Sequence, residues 1–244
     1  MGCFVFGNLT LSDDFEVLGI EMPAMAPTVP DLRTIPGRDG ALLAGNDLGP
    51  LEIKVTARIA TNTIDPRDIQ QAWADKVAQI RNAGEQLLKL TSDRGRMAVL
   101  TGETLLEYAT YSATGTLTFT CQDPIAYGAT YTKNVPSGSS ATFTVGGTAP
   151  AYPSITANAV RNSTSLVWGL RLDGGDFVHV PTGSASARSV QVDCAARTCK
   201  VAGAATVPTL DSDWLALEPG EHTLAMDQGT ASGGATVTYT ERWL

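Results

Sequence analysis

Alternating apolar and polar positions recur along the chain and predict many short β-strands. The segment Leu51–Ile59 shows this most clearly, because every second residue is apolar. Short runs of the same kind continue beyond residue 140, spaced by roughly 8–12 residues as in antiparallel β-sandwiches and jelly rolls. Turn signals such as Gly174-Gly175 and Pro219-Gly220 separate them. The second half of the chain is therefore expected to be an antiparallel β domain.

One segment has helical periodicity instead. Asp65 is a suitable N-cap, Pro66 fits the first helical position, and Gly84 is a plausible stop. These signals predict a helix over about 66–83. Its apolar residues recur at three- and four-residue spacing and form one core-facing stripe, which is most simply a packing surface. The expected core face consists of Ile69, Trp73, Val77 and Ile80.

A proline-rich segment precedes the clearest strand. Residues 22–36 contain four prolines, which exclude a helix and disfavour a central strand. The turn sequence Pro36-Gly37-Arg38-Asp39-Gly40 follows directly, with proline and glycine at positions that favour a change of direction. We expect an extended arm over about 22–50.

Composition and charge argue against a disordered chain and against a nucleic-acid-binding protein. The chain has 244 residues, of which 43% are hydrophobic, and a net charge of −8. That apolar content supports a packed core and excludes a disordered chain. No basic run occurs, so specific nucleic-acid binding is not expected. A Ser-, Gly- and Pro-rich stretch, 133–140, suggests a boundary between domains 1–136 and 137–244.

Targeting and membrane signals are not recognised in the sequence. The first basic residue is Arg33, so the start has no charged n-region of the kind that signal peptides carry. The uncharged stretch 134–160 is filled with Ser, Thr, Gly and Pro, unlike a membrane span. We expect no association with membranes.

Motifs for catalysis are equally weak. The chain has two histidines, His179 and His222, and no Gly-x-Ser-x-Gly nucleophile elbow. A dinucleotide fingerprint, a phosphate loop and a paired-cysteine zinc motif are missing as well. We therefore expect no enzyme, cofactor or metal site. Cys194 and Cys199 flank a short turn between two strand-like runs, and a disulfide between them is one alternative to two free thiols.

Four segments, taken in order, carry a resemblance to a known family. They are Ile35–Gly40 after the proline-rich arm; the Asp65-Pro66 helix start with the later run Thr116–Pro124; Gly147–Pro153; and Trp214–Gly220 with the ending Tyr239–Leu244. Their order and spacing over nearly the whole chain resemble the distal tail proteins (Dit) of long-tailed bacteriophages, the siphoviruses.

The resemblance implies a mainly β fold with two domains. The first would be a tail-tube-like β-sandwich or barrel with one flanking α-helix. The second would be a galectin-like antiparallel β-sandwich. Members of the family are structural virion proteins that form a hexameric ring around the DNA exit channel. That ring joins the tail tube to the tail-tip hub at the distal end of the virion tail.

The resemblance also implies partners and contact residues. The expected partners are five further copies in a homo-hexamer, the tail tube protein and the tail-tip hub protein. The tape measure protein and receptor-binding proteins are further candidates, and assembly would take place in the cytoplasm of the bacterial host. The arm would clasp the neighbouring subunit. Its candidate contact residues are Pro30, Ile35, Pro36, Gly37, Arg38, Asp39, Gly40 and Leu42.

A carbohydrate-binding module that contributes to adhesion at the host surface is the alternative function. Such a module needs exposed aromatic side chains that stack on a sugar. The four tryptophans, Trp73, Trp168, Trp214 and Trp243, stand within strand or helix patterns that favour core positions. The chain is also too compact for the inserted carbohydrate-binding modules that some family members carry, which weakens this alternative.

Overall fold

The computed structural model describes residues 4–62, 64–90, 93–103, 106–159, 166–183, 187–227 and 232–244. The chain divides into two compact units. The first comprises Met1–Ala126 together with Leu244, and the second comprises Tyr127–Trp243. Each unit has its own hydrophobic core.

The first unit contains one α-helix, one 3-10 turn (Leu11–Asp13) and ten strands among its described residues. These elements are β1 (Val5–Phe6), β2 (Leu9–Thr10), β3 (Glu16–Glu21), β4 (Thr28–Thr34), β5 (Ala41–Leu48), β6 (Leu51–Ala60), α1 (Pro66–Asn82), β7 (Gln86–Lys89), β8 (Gly95–Glu103), β9 (Glu107–Ala109) and β10 (Ser112–Cys121).

Strand alternation builds the core of the first unit. Strands β3, β6, β10 and β8 pair in that order, and β7, β1 and β2 continue from β8. Every second residue of β6 and of β10 is buried, as the alternating sequence predicts. Rings from the start of the chain close this core, where Phe4 and Phe6 contact Phe119.

Helix α1 covers one side of this core. The Asp65 carboxylate accepts a hydrogen bond of 2.9 Å from the Arg67 N–H, which caps the helix. Ile69, Trp73 and Ile80 are buried, and Val77 packs against the same core while partly exposed. The Trp73 ring meets Phe15 edge-on at 5.0 Å between centroids.

The second unit is built of strands alone among its described residues. They are β11 (Ala126–Val135), β12 (Ser140–Val145), β13 (Ser154–Ala159), β14 (Val167–Leu172), β15 (Phe177–Pro181), β16 (Arg188–Asp193), β17 (Thr198–Val201), β18 (Ala204–Ala205), β19 (Gly220–Met226) and β20 (Ala235–Trp243). One sheet has the order β18-β17-β16-β13-β20-β11, and the other has the order β12-β19-β14-β15. Their apolar faces share one core around the buried Trp168.

The two cysteines of the β16–β17 hairpin are free and buried. The disulfide that the sequence left open is not formed. The register places Val192 opposite Cys199, so the hairpin does not bring Cys194 face to face with it. Burial raises the pKa of both thiols, that of Cys194 to about 12, and both side chains pack in the hydrophobic core.

The prediction of a mainly β fold with one helix is confirmed. The sequence placed the domain boundary at 136/137, after β11. In the structure the division falls at the first residue of that strand, between Ala126 and Tyr127, and the rest of β11 belongs to the second unit, where it pairs with β20. The Ser- and Gly-rich stretch after β11 is thus a turn within the second unit.

Candidate assembly surface

The proline-rich arm is a β-hairpin. Strands β4 and β5 pair with each other from Thr28↔Leu48 to Thr34↔Ala41 and form a separate two-stranded sheet. Pro30 is tolerated because it stands opposite Asn46, three positions from the Pro27–Gly49 hydrogen bond, where alternation of the ladder turns its nitrogen away from the partner strand. The sequence predicted an extended arm, and the structure adds that the arm folds back on itself.

The tip of the hairpin is the turn sequence recognised earlier. The Arg38 N–H donates to the Ile35 carbonyl at 3.2 Å. Gly37 and Gly40 have φ of 80° and 87°, a left-handed conformation that residues with a Cβ rarely adopt. Glycine is therefore required at these two positions for the chain to reverse here.

Apolar side chains on this hairpin are exposed to solvent. Leu32 and Leu43 lie opposite each other and are 59% and 57% exposed. The other exposed apolar residues of the hairpin are Val29, Ile35, Leu42 and Leu48. An isolated two-stranded hairpin is marginally stable in water, and a contiguous apolar patch on a soluble protein marks an interaction site. The arm thus has the composition of a segment that docks on another surface.

The base of the hairpin is anchored to the first unit. The Gly49 N–H donates to the Pro27 carbonyl at 2.7 Å, which closes the two ends together. Ala26 is buried, and the Arg96 side chain donates to the Pro124 carbonyl at 3.1 Å and contacts Met22 Sδ at 3.3 Å. The exposed part of the arm therefore starts from a fixed point.

A second apolar surface lies along strand β3. Among the described residues this strand pairs with β6 alone, and its Leu18 and Ile20 are exposed. A Glu16–Arg58 ion pair ties its start to β6. An edge strand with free N–H and C=O groups and exposed apolar residues is a template for pairing with another chain.

All eight arm residues selected from the sequence lie on the exposed hairpin or its tip. The residues selected singly from the sequence did not include Val29, Leu32, Leu43 and Leu48, although Leu32 and Leu43 lie within the range 30–43 expected to contact a neighbouring subunit, and strand β3 was not singled out as a contact surface. The available signal was the number of leucines in a segment too proline-rich for a core strand.

The second unit contains a polar cluster around Asp227. Asp227 binds the Arg171 guanidinium at 3.0 and 3.1 Å and contacts His179 Nε2. The Ser212 hydroxyl hydrogen-bonds to the backbone N–H and carbonyl of His179, not to its imidazole. These residues are thus not arranged as a Ser-His-Asp triad. Burial alone would raise the pKa of Asp227, but the hydrogen bonds from Arg171 and His179 lower it.

The buried His222 is held by two acceptors. Its Nδ1 lies 2.7 Å from Asp173 Oδ2, and its Nε2 lies 2.6 Å from the Glu218 carbonyl oxygen. Burial opposes the charged imidazolium, but these two hydrogen bonds raise the pKa of His222 above its ordinary value. The pKa of Asp173 is lowered, because the hydrogen bonds from the Thr223 N–H and from His222 outweigh its burial.

This pair makes stability depend on pH. A raised histidine pKa contributes stability that is complete below the ordinary value and is lost as the pH rises through the folded value. We therefore expect the melting temperature of the second unit to fall as the pH rises above the ordinary histidine pKa of about 6.5. A His222→Gln variant should show a flatter profile over the same range, measured by differential scanning calorimetry. If the melting temperatures of the parent protein and of the His222→Gln variant depended equally on pH, His222 would not be the source of this pH dependence.

Within the described ranges, no cluster of three or more His, Cys, Asp or Glu side chains is placed to hold a metal ion. Over the same ranges, none of the helices combines the length and hydropathy that crossing a bilayer requires.

A family model and a curated protein match parts of this chain. Residues 146–243 match the family described as siphovirus-type tail component, C-terminal domain. The distal tail protein of Bacillus phage SPP1 is 29% identical over 135 residues, which is 53% of this chain and 51% of that protein. The chain thus spans about half the length of the curated relative it matches.

Two solved structures resemble the fold. The crystal structure of SPP1 Dit superposes over 100% of both chains with a TM-score of 0.80 at 20% identity. A chain of the phage p2 baseplate in its activated conformation with Sr covers 97% of both chains, with a TM-score of 0.51 at 8% identity. At these identities the structures show the fold alone. Together with the family match, they confirm the resemblance to the distal tail proteins.

Proposed function

We propose that this chain is a structural protein of the distal end of a bacteriophage tail. Six copies would form a ring that joins the tail tube to the tail-tip hub and surrounds the DNA exit channel. Its role is non-enzymatic, and its place is the virion, after assembly in the cytoplasm of the host. The observation that carries the proposal is the anchored hairpin arm with its exposed apolar residues, on a chain similar to the SPP1 distal tail protein.

The arm and strand β3 supply the two different surfaces that a ring needs. A closed ring uses a heterologous interface, in which one surface meets a different surface on the next copy. The arm projects from a fixed base, and Pro30 and Pro36 restrict its unbound conformations, so docking costs less entropy. Full burial of a Leu side chain contributes about 1.5–3 kcal/mol. Burial of the six partly exposed apolar residues of the arm would therefore contribute favourably to the contact, against the cost of association.

Strand β3 would continue the sheet of the first unit into the neighbouring subunit. Its outer backbone groups would then pair across the interface, and closure of the ring would leave no free sheet edge. The net charge of −8 suits a channel that DNA crosses without binding, because like charges repel the phosphate backbone. The tail tube and hub proteins would stack on the two faces of the ring. The tape measure protein and the receptor-binding proteins are further candidate neighbours.

Native mass and negative-stain images of the purified protein test the ring. One chain has a mass of 25.6 kDa, so a hexamer should appear at about 154 kDa with a central hole. A species that remains monomeric across the concentration range, also with the tail-tip hub protein added, would contradict the proposal.

A further inference from the structure

An open cleft of about 340 Å³ lies on the second unit, and its lining includes none of the arm residues. Its lining combines aromatic rings, hydroxyl groups and one charge of each sign. The main lining residues are Tyr127, Tyr152, Ser154, Asp193, Thr238 and Arg242. Neither the ring interface nor the comparisons give this cleft a role.

Sheet register places the polar residues side by side. Ser154 of β13 lies opposite Asp193 of β16 on one side and opposite Thr238 of β20 on the other. Because alternate residues of a strand share a face, Thr240 falls on the same side of β20 as Thr238, and Tyr152, which precedes β13, lines the same cleft. One polar row therefore crosses three strands and ends beside an aromatic residue.

The aromatic end of the cleft is fixed around a guanidinium. The Arg242 guanidinium carbon lies 5.2 Å from the centroid of Tyr152 and 5.8 Å from that of Tyr127. Arg242 also donates to the Pro150 carbonyl at 3.0 Å, which holds the side chain in place. Tyr152 remains 43% exposed, so part of its surface is available for contact.

The polar end keeps hydrogen-bonding capacity. Thr240 pairs with Thr130 at 2.8 Å, and Thr238 pairs with Thr132 at 3.3 Å. Each hydroxyl has one donor and two acceptor sites. A hydrogen bond between two threonine hydroxyls therefore leaves further donor and acceptor sites for a ligand. The Asp193 carboxylate accepts from the Ala196 N–H at 2.9 Å, which fixes its orientation at the cleft.

We propose that this cleft binds an uncharged hexose unit of a saccharide. A pyranose ring has an apolar face of C–H groups and a rim of hydroxyls, which matches Tyr152 and Tyr127 at one end and Asp193 with the threonines at the other. The volume lies within the range of small-molecule sites, toward its lower end. Because Asp193 and Arg242 present opposite charges, the cleft has no net preference for an anionic sugar. The proposal stands independently of the hexameric ring.

Saturation-transfer NMR on the purified full chain tests the site with glucose, galactose, N-acetylglucosamine and N-acetylgalactosamine as probes. We expect at least one of them to bind, and calorimetry to give its dissociation constant. Tyr152→Ala should weaken that binding about tenfold, which corresponds to roughly 1.4 kcal/mol. Asp193→Asn should weaken it about as much, since the amide keeps the shape but loses the charged acceptor.

The control variant is Tyr108→Ala, which removes a similarly exposed tyrosine from the first unit and should leave binding unchanged. Circular dichroism spectra of all variants should match that of the parent protein. If none of the four sugars binds, the proposal is wrong. It is also wrong if Tyr152→Ala and Asp193→Asn bind the sugar as tightly as Tyr108→Ala does.

Discussion

Deletion of residues 30–43 is expected to convert the proposed ring into folded monomers. The structure makes this a clean deletion, because Val29 pairs with Asp47 and the remaining Ala44, Gly45 and Asn46 form a three-residue loop between them. The Pro27–Gly49 hydrogen bond below the cut is retained. We expect the native mass to fall from about 154 kDa for a hexamer to that of one shortened chain. The far-UV circular dichroism spectrum should remain that of a β protein.

A milder variant tests whether the exposed leucines of the arm make the contact between subunits, without deleting the arm itself. The double substitution Leu32→Ser and Leu43→Ser removes the opposed exposed leucines while keeping the hairpin. It should weaken assembly in the same direction. Leu210→Ser is the matched control, because Leu210 is a fully exposed leucine of the second unit. Intact rings from the deletion variant would refute the role of the arm, whatever the point variants do.

Replacement of Trp73 by alanine is expected to cause the largest loss of stability in the first unit. The side chain is buried, and its ring meets Phe15 at 5.0 Å. Gly115 lies directly beneath it, since an added Cβ there would come 2.9 Å from Trp73 Cζ2. The backbone of β10 thus lies in close contact with the indole, and removing the ring would leave a cavity there. Large-to-small changes of this kind cost about 3–5 kcal/mol.

Denaturant unfolding followed by far-UV circular dichroism measures this loss as a lower midpoint for the first transition. Gln70→Ala is the control on the same helix, because Gln70 is exposed and lies next to the buried Ile69. A surface change of this type should stay within about 0.5 kcal/mol. If Trp73→Ala were as mild as the control, the helix would not be packed on β10 as described.

Local sequence rules account for much of the secondary structure. The mainly β fold followed from alternation such as that of Leu51–Ile59, which reflects a strand with one buried face. The helix expected over 66–83 is found at Pro66–Asn82, because its cap and apolar stripe are read from adjacent residues. The expectation of a tail-tube-like first domain and a galectin-like second domain came from the family resemblance and not from periodicity.

Features that depend on pairing between strands far apart in the sequence could not be predicted from local sequence patterns. Strand β11 belongs with β20, which lies about a hundred residues later, so its membership of the second unit leaves no local signal. The same holds for Cys194 and Cys199, since only the register shows that Val192 faces Cys199. The sugar-sized cleft draws residues from Tyr127 to Arg242 and has no motif at all.

The position of β20 has a consequence for how the chain is made in the cell. Strand β20 lies between β13 and β11 in the sheet. Both neighbouring strands are synthesised before β20, so neither can form its hydrogen bonds to β20 until that strand has been made. A ribosome adds about 5–20 residues per second, so the wait lasts roughly 5–20 s. During that interval the nascent chain displays two unpaired strand edges. The second unit must therefore fold after translation of Trp243, and crowded polysomes are where aggregation would start.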